Sequence, residues 1–203
     1  TSNLTIEAED YNFSTNGTSG AAFIDNPVLV GEPGTDPNSY NGATGLEGID
    51  FHDNRGGFPS YGDPDHSYRS DPPRQYHTGD GPRAKYVTAG GEALGFYETT
   101  IGADNANGDW LNYSRTFAPG TYTAYLRVGT YNMPYSLHSL EKVTSDPTVA
   151  GQTTRQLGSF LQLGGAAGDS GYDVYRLVPL TDATGNRVVL RMSGINTVRL
   201  RNV

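Results

Sequence analysis

Residues 108–128 read GDWLNYSRTFAPGTYTAYLRV. The spacing predicts two strands, 110–117 and 121–129, joined by a tight turn at Ala118-Pro119-Gly120. Proline presets φ in such a turn, and glycine supplies an unusual backbone angle. On the second arm Tyr122, Ala124, Leu126 and Val128 alternate with Thr121, Thr123, Tyr125 and Arg127. That period of two belongs to a strand with one face on a core. The first arm carries the only tryptophan, Trp110, directly after Asp109. A lone tryptophan on a rigid strand either packs in a core or faces a sugar ring.

Outward from this stretch, further strands are expected at 4–8, 21–30, 84–88, 94–99, 136–143, 153–163, 174–180, 187–192 and 196–201. Many short strands separated by turn signals favour an all-β sandwich over a helical fold. The 203 residues suffice for one β domain, read as a single unit over 1–203. Residues 31–91 differ from the rest. They hold most of the prolines and three histidines, His52, His66 and His77, with few apolar runs. They read as a long loop-rich insertion, and long loops in a compact domain are usually functional or disordered. Tyr40, Phe51, Phe58, Tyr61, Tyr68 and Tyr76 favour order there.

The formal net charge is −8, which argues against nucleic acid or an anionic membrane as a partner. It also mildly disfavours polyanionic polysaccharides and leans toward neutral glycans. There is no cysteine. A chain rich in Gly, Thr, Tyr, Asn and Asp reads as secreted, and bound Ca2+ can replace disulfides as the rigidifying device. No apolar stretch approaches the length of a membrane span. The opening at Thr1 reads as the start of an excised mature domain. Glu7 and Glu9 are two apart, so on a strand they point the same way. Parallel carboxylates repel unless a cation lies between them, and Ca2+ suits such oxygens.

Ile6-Glu7-Ala8-Glu9-Asp10-Tyr11 resembles the opening of carbohydrate-binding modules of families 6 and 35. Gly108-Asp109-Trp110-Leu111-Asn112-Tyr113, followed by Pro119-Gly120-Thr121-Tyr122, resembles their central hairpin. Gly194-Ile195-Asn196-Thr197-Val198-Arg199-Leu200 resembles their last strand. The three motifs occur in the family's order and cover about half the chain. The resemblance implies a β-jelly-roll sandwich appended to a secreted polysaccharide-degrading enzyme. It also implies that Glu7 and Glu9 hold a structural calcium with a residue of the last strand. In one register Asn196 is the sugar-binding asparagine and the calcium position falls on Val198, which cannot ligate. In the other, Asn196 itself sits at the calcium position.

Two sugar sites follow from the resemblance. On the concave sheet face Trp110 is the platform, with Asp109 or Asn112 offering hydrogen bonds. At the loop edge Tyr97 (or Phe96) and Tyr172 sandwich a sugar that Asn196 closes. The competing enzyme-like feature is Asp50, His52, Asp53 and Arg55, then Asp63, Asp65 and His66. Paired carboxylates can run glycoside hydrolysis, and His with Asp can bind metal or act as acid and base. Gly and Pro run through that cluster, and Asp is a preferred turn residue. Arg69, Arg74 and Arg83 are expected to pair with these acids. The expected function is a non-catalytic module, monomeric, tethered to a catalytic domain, with polysaccharide as its partner and no catalytic residue. The alternatives are a jelly-roll glycoside hydrolase or lyase, and an adhesive surface module without a glycan ligand.

Overall fold

The computed structural model describes residues 4–6, 8, 11–12, 46–52, 108–129, 134–163 and 176–203. Among the described residues there is no helix. The strands are β1 (Phe51–His52), β2 (Trp110–Thr123), β3 (Tyr125–Val128), β4 (Tyr135–Val143), β5 (Thr154–Leu163), β6 (Arg176–Pro179) and β7 (Val189–Asn202). They form a five-stranded sheet in the order β1-β2-β7-β4-β5 and a two-stranded sheet, β3-β6, with every pairing antiparallel.

The pairing of β2 with β7 sets the two faces of the large sheet. Residues directly opposite each other in an antiparallel pair point to the same side. Leu111 opposes Leu200 and Tyr113 opposes Val198 on one side. Those four pack with Phe117, Phe160, Val178, Leu180, Leu190 and Met192 in the core, against the small sheet. Trp110 opposes Arg201, Asn112 opposes Arg199 and Ser114 opposes Thr197 on the other side. That second face is also buried along β2, so β2 is covered from both directions.

The expected hairpin is absent. β2 runs unbroken through Ala118-Pro119-Gly120, and both of its halves pair with β7. The register shifts between Phe117 and Gly120, so the proline sits at a β-bulge. A bulge leaves a residue out of the ladder, which is where a strand tolerates a proline that cannot donate. The predicted alternation survives this correction. Tyr122, Ala124, Leu126 and Val128 all pack against the core, although Leu126 and Val128 belong to β3 in the other sheet. The strands expected at 187–192 and 196–201 are one strand, β7. Gly194 at φ 64 lies inside it, opposite Phe117 next to the bulge. Residues 4–6 and 8 form no strand, whereas Phe51–His52, inside the expected insertion, does. The expected strands at 21–30, 84–88 and 94–99 lie outside the described residues.

The chain after β6 approaches β5 closely at Gly158. Ser159 and Thr181 exchange backbone hydrogen bonds of 2.9 Å each way, which draws β5 onto the chain after β6. A Cβ on Gly158 would lie 2.8 Å from the Thr181 carbonyl oxygen and 2.9 Å from Leu180 Cγ. Leu180 is almost wholly buried and cannot yield. Gly158→Ala is therefore expected to lower folding stability by about 1–3 kcal/mol, the range for overpacking a core. Urea denaturation checks this. A loss below about 0.5 kcal/mol, an ordinary surface effect, would mean that β5 moves freely from the Leu180 segment.

Candidate functional site

On the face of the large sheet opposite the core, polar side chains form a hydrogen-bonded layer around Trp110. Asn112 is fully buried. Its Nδ2 donates to the Ile49 carbonyl at 2.6 Å and to Gln152 Oε1 at 2.8 Å. Its Oδ1 accepts from Arg199 Nε at 3.0 Å. Arg199 also donates through its terminal nitrogen to Gln152 Oε1. The Arg199 Cζ lies 3.5 Å from the centre of the Trp110 ring, a cation stacked on an indole face. Arg199 is 3% exposed and Trp110 7% exposed. Burial above all, then the neighbouring Arg201 charge, lowers the Arg199 pKa to about 10, while Glu141 opposes the shift. The guanidinium thus stays charged at neutral pH.

The rim of this layer is more open. The His52 ring lies 6.1 Å from the Trp110 ring, and His52 Nδ1 and Glu47 Oε1 form a short contact at 2.5 Å. Both side chains are partly solvent-accessible. Arg201, opposite Trp110, is partly exposed and pairs with Glu141 at 3.1 Å. Asp50 lies behind this rim with no exposed surface. Its Oδ2 accepts from the Leu46 N–H at 2.8 Å, and its Oδ1 has no partner among the described residues. Burial raises the Asp50 pKa to about 6, with the Leu46 hydrogen bond acting the other way. Asp50 and His52 are two residues apart in the chain but differ in setting, one buried and the other partly exposed.

Asn196 is hydrogen-bonded both within its own strand and across to β4. Its Nδ2 donates to the Ser193 carbonyl at 2.9 Å and the Gly194 carbonyl at 3.1 Å, beside the positive-φ Gly194. Its Oδ1 accepts from the Lys142 ammonium at 2.6 Å. An ammonium on the amide oxygen opposes a second cation there, so this residue does not fit Ca2+ coordination in this arrangement. Among the described residues no group of three or more His, Cys, Asp or Glu could hold a metal ion.

Near Lys142 a cavity of about 260 Å³ opens beside β7, lined by Lys142, Arg155, Leu157, Val188, Leu190 and Arg191 with their neighbours. Of the residues expected to bind ligand, Trp110 and Asn196 lie on opposite sides of the large sheet. Asp109 is buried, and its carbonyl accepts from the Asn202 N–H. Tyr97, Tyr172, Glu7 and Glu9 lie outside the described residues, as do Asp53, Arg55, Asp63, Asp65, His66, Arg69, Arg74 and Arg83.

Sequence reasoning missed Arg199 and Gln152 as partners of Asn112. A signal existed for Arg199. Thr197, Arg199 and Arg201 alternate with Val198 and Leu200, which marks a strand whose second face meets polar groups. Gln152 sits in an irregular segment with no comparable pattern. Comparison with family models, with curated proteins and with solved structures finds no match.

Proposed function

We propose that this protein is a non-catalytic carbohydrate-binding module of the jelly-roll type, secreted and tethered to a polysaccharide-degrading domain. The observation that carries the reading is the polar layer around Trp110, opposite the hydrophobic core. Sugar sites combine an aromatic surface with a few oriented polar groups. Here the indole face is covered by Arg199, so a ligand would meet the half-open rim, where His52, Glu47 and Arg201 are hydrogen-bonding groups. A rim held by a rigid sheet binds without rearrangement, and tethering then raises the local concentration of the attached domain. Calcium enters this proposal through Glu7 and Glu9, since Asn196 already serves Lys142.

Affinity electrophoresis through gels containing a panel of neutral and acidic polysaccharides tests the reading. Retardation in at least one gel, weakened by His52→Ala, is expected, with no reducing ends or unsaturated sugars released. Free migration through every gel would sink it, and sustained product release would transfer the case to an enzyme. For calcium, an ion that binds only the native state at about 100 times its Kd contributes roughly 2.7 kcal/mol. EDTA is then expected to lower the Tm by roughly 5–10 °C. An unchanged Tm after prolonged chelation would remove calcium from the proposal.

A further inference from the structure

Asn12-Phe13-Ser14 and Asn112-Tyr113-Ser114 each spell the acceptor motif for N-linked glycosylation, Asn-X-Ser with X other than proline. In secreted proteins an exposed loop normally bears this motif. Here Asn12 and Asn112 have no exposed surface, and Ser114 is 1% exposed. The two motifs interlock. The Asn12 N–H donates to the Asn112 carbonyl at 2.7 Å, and the Asn112 N–H donates to the Asp50 carbonyl at 2.9 Å. Asn12 also clamps the last residue of the other motif. Its Oδ1 accepts from the Ser114 N–H at 2.7 Å, and its Nδ2 donates to Ser114 Oγ at 2.8 Å. Ser114 Oγ is bonded in turn to Thr197 Oγ1 at 2.6 Å. Both protons of the Asn112 amide are in use, one on the Ile49 carbonyl and one on Gln152 Oε1. The motif recurs at Asn3 and Asn16, which lie outside the described residues.

We propose that this fold and N-linked glycosylation at Asn12 or Asn112 exclude each other, so that an export route which adds N-glycans to unfolded chains traps this protein before it folds. Transfer joins the asparagine Nδ2 to the anomeric carbon of a lipid-diphosphate-linked oligosaccharide. The bond from that carbon to the diphosphate breaks, the lipid diphosphate leaves with the electron pair, and the amide gives one proton to the transferase. A modified Asn112 keeps a single Nδ2 proton for two acceptors, so either the Ile49 carbonyl or Gln152 Oε1 loses its Asn112 donor. Volume is the larger obstacle. The attached ring would stand where Ile49 or Gln152 now touches the amide, and close-packed interiors hold no space of that size. On Asn12 the ring would force Nδ2 away from Ser114 Oγ. In the unfolded chain neither asparagine has these partners, and both motifs are open. Folding closes both together, because the Asn12 clamp seals Ser114. The order of events then decides the outcome. A chain that folds first loses both acceptors; a chain that is modified first cannot build the layer around Trp110. The protein is thereby fitted to an export route without N-glycan transfer, whether or not it binds a polysaccharide.

The test sends the whole chain through the secretory pathway of a yeast, with and without tunicamycin, beside a secreted reporter that lacks the motif. Occupancy at each asparagine is read by peptide mass after enzymatic deglycosylation in heavy-oxygen water, separately for secreted and cell-retained protein. Glycan is expected on Asn12 or Asn112 in the retained protein and on neither in the secreted protein. Tunicamycin blocks assembly of the lipid-linked donor. It is expected to raise the secreted yield relative to the reporter several-fold, the scale on which a folding defect changes abundance. Secreted protein from the treated cells is expected to melt cooperatively at the Tm of protein made in a bacterial cytoplasm, where no N-glycan is added. The exclusion is overturned by glycan on Asn12 or Asn112 in secreted protein that melts cooperatively, by bare Asn12 and Asn112 in the retained protein, or by a relative yield that tunicamycin does not raise.

Discussion

Arg199→Ala is expected to destabilise the fold by about 3–4 kcal/mol, the cost of removing one partner from a buried hydrogen-bonded charge network. The loss has two sources. Asn112 Oδ1 and Gln152 Oε1 each lose a donor, and Asn112 has no exposed surface from which water could replace it. The Trp110 ring also loses the guanidinium stacked at 3.5 Å. Arg199→Met separates them, because it refills the space over the indole while removing the arginine donor from both oxygens and leaving Gln152 Oε1 only Asn112. If hydrogen bonding dominates, the methionine variant recovers less than half of the loss. Urea denaturation provides the energies. Trp110 is the sole tryptophan, so its emission reports the stacked site directly. A loss below about 1 kcal/mol, the level of an ordinary exposed contact, would show that the layer around Trp110 is not a structural unit.

The second large effect is a cancellation between two buried titrating groups. Asp50 has its pKa raised by burial from 3.8 to about 6. Over that interval native Asp50 holds a proton that the unfolded chain has released, so stability falls as the pH rises. His138, packed on the core side opposite Phe160, has its pKa lowered by burial from 6.5 to about 4. Over that interval the unfolded chain holds a proton that native His138 lacks, so stability rises with pH. Each shift amounts to something on the order of 3 kcal/mol, at 1.36 kcal/mol per pKa unit. The two slopes oppose each other between about pH 4 and 6, and their joint contribution there is nearly flat. Asp50→Asn is expected to leave a rising profile over that window and to gain stability at pH 7.5 but not at pH 4. His138→Gln is expected to leave a falling profile. Denaturation midpoints at half-unit pH steps decide it. Parallel profiles for the wild type and both variants would show that neither group has the shift assigned to it.

Much of the fold was legible in the residues, though not its connectivity. The alternation from Tyr122 to Val128 marked a core-facing face correctly, because burial on one side imposes a period of two whichever strand pairs alongside. Pro119-Gly120 was misleading because a bulge and a turn call for the same residue types. Only the register with β7 separates them. Asn196 stood out through its motif, but its role depends on Lys142, 54 positions away in the chain. The juxtaposition of Lys142 and Arg155 was not legible at all. They come from two strands, and nothing in either segment signals that the register sets their charges opposite each other.

The strand order has a consequence for how the protein is made. In β1-β2-β7-β4-β5 the central strand is the last of the described strands to be synthesised. Until Val189–Asn202 has left the ribosome, β1-β2 and β4-β5 are two separate ribbons, each with an open hydrogen-bonding edge. Closing Trp110 onto Arg201 spans a long loop, and such pairings carry their entropy cost before any contact rewards it. Nascent chains therefore wait with sticky edges exposed, the condition in which β proteins associate wrongly. High-yield production should depend on a low concentration of nascent chains or on a holding chaperone more than on the stability of the finished fold.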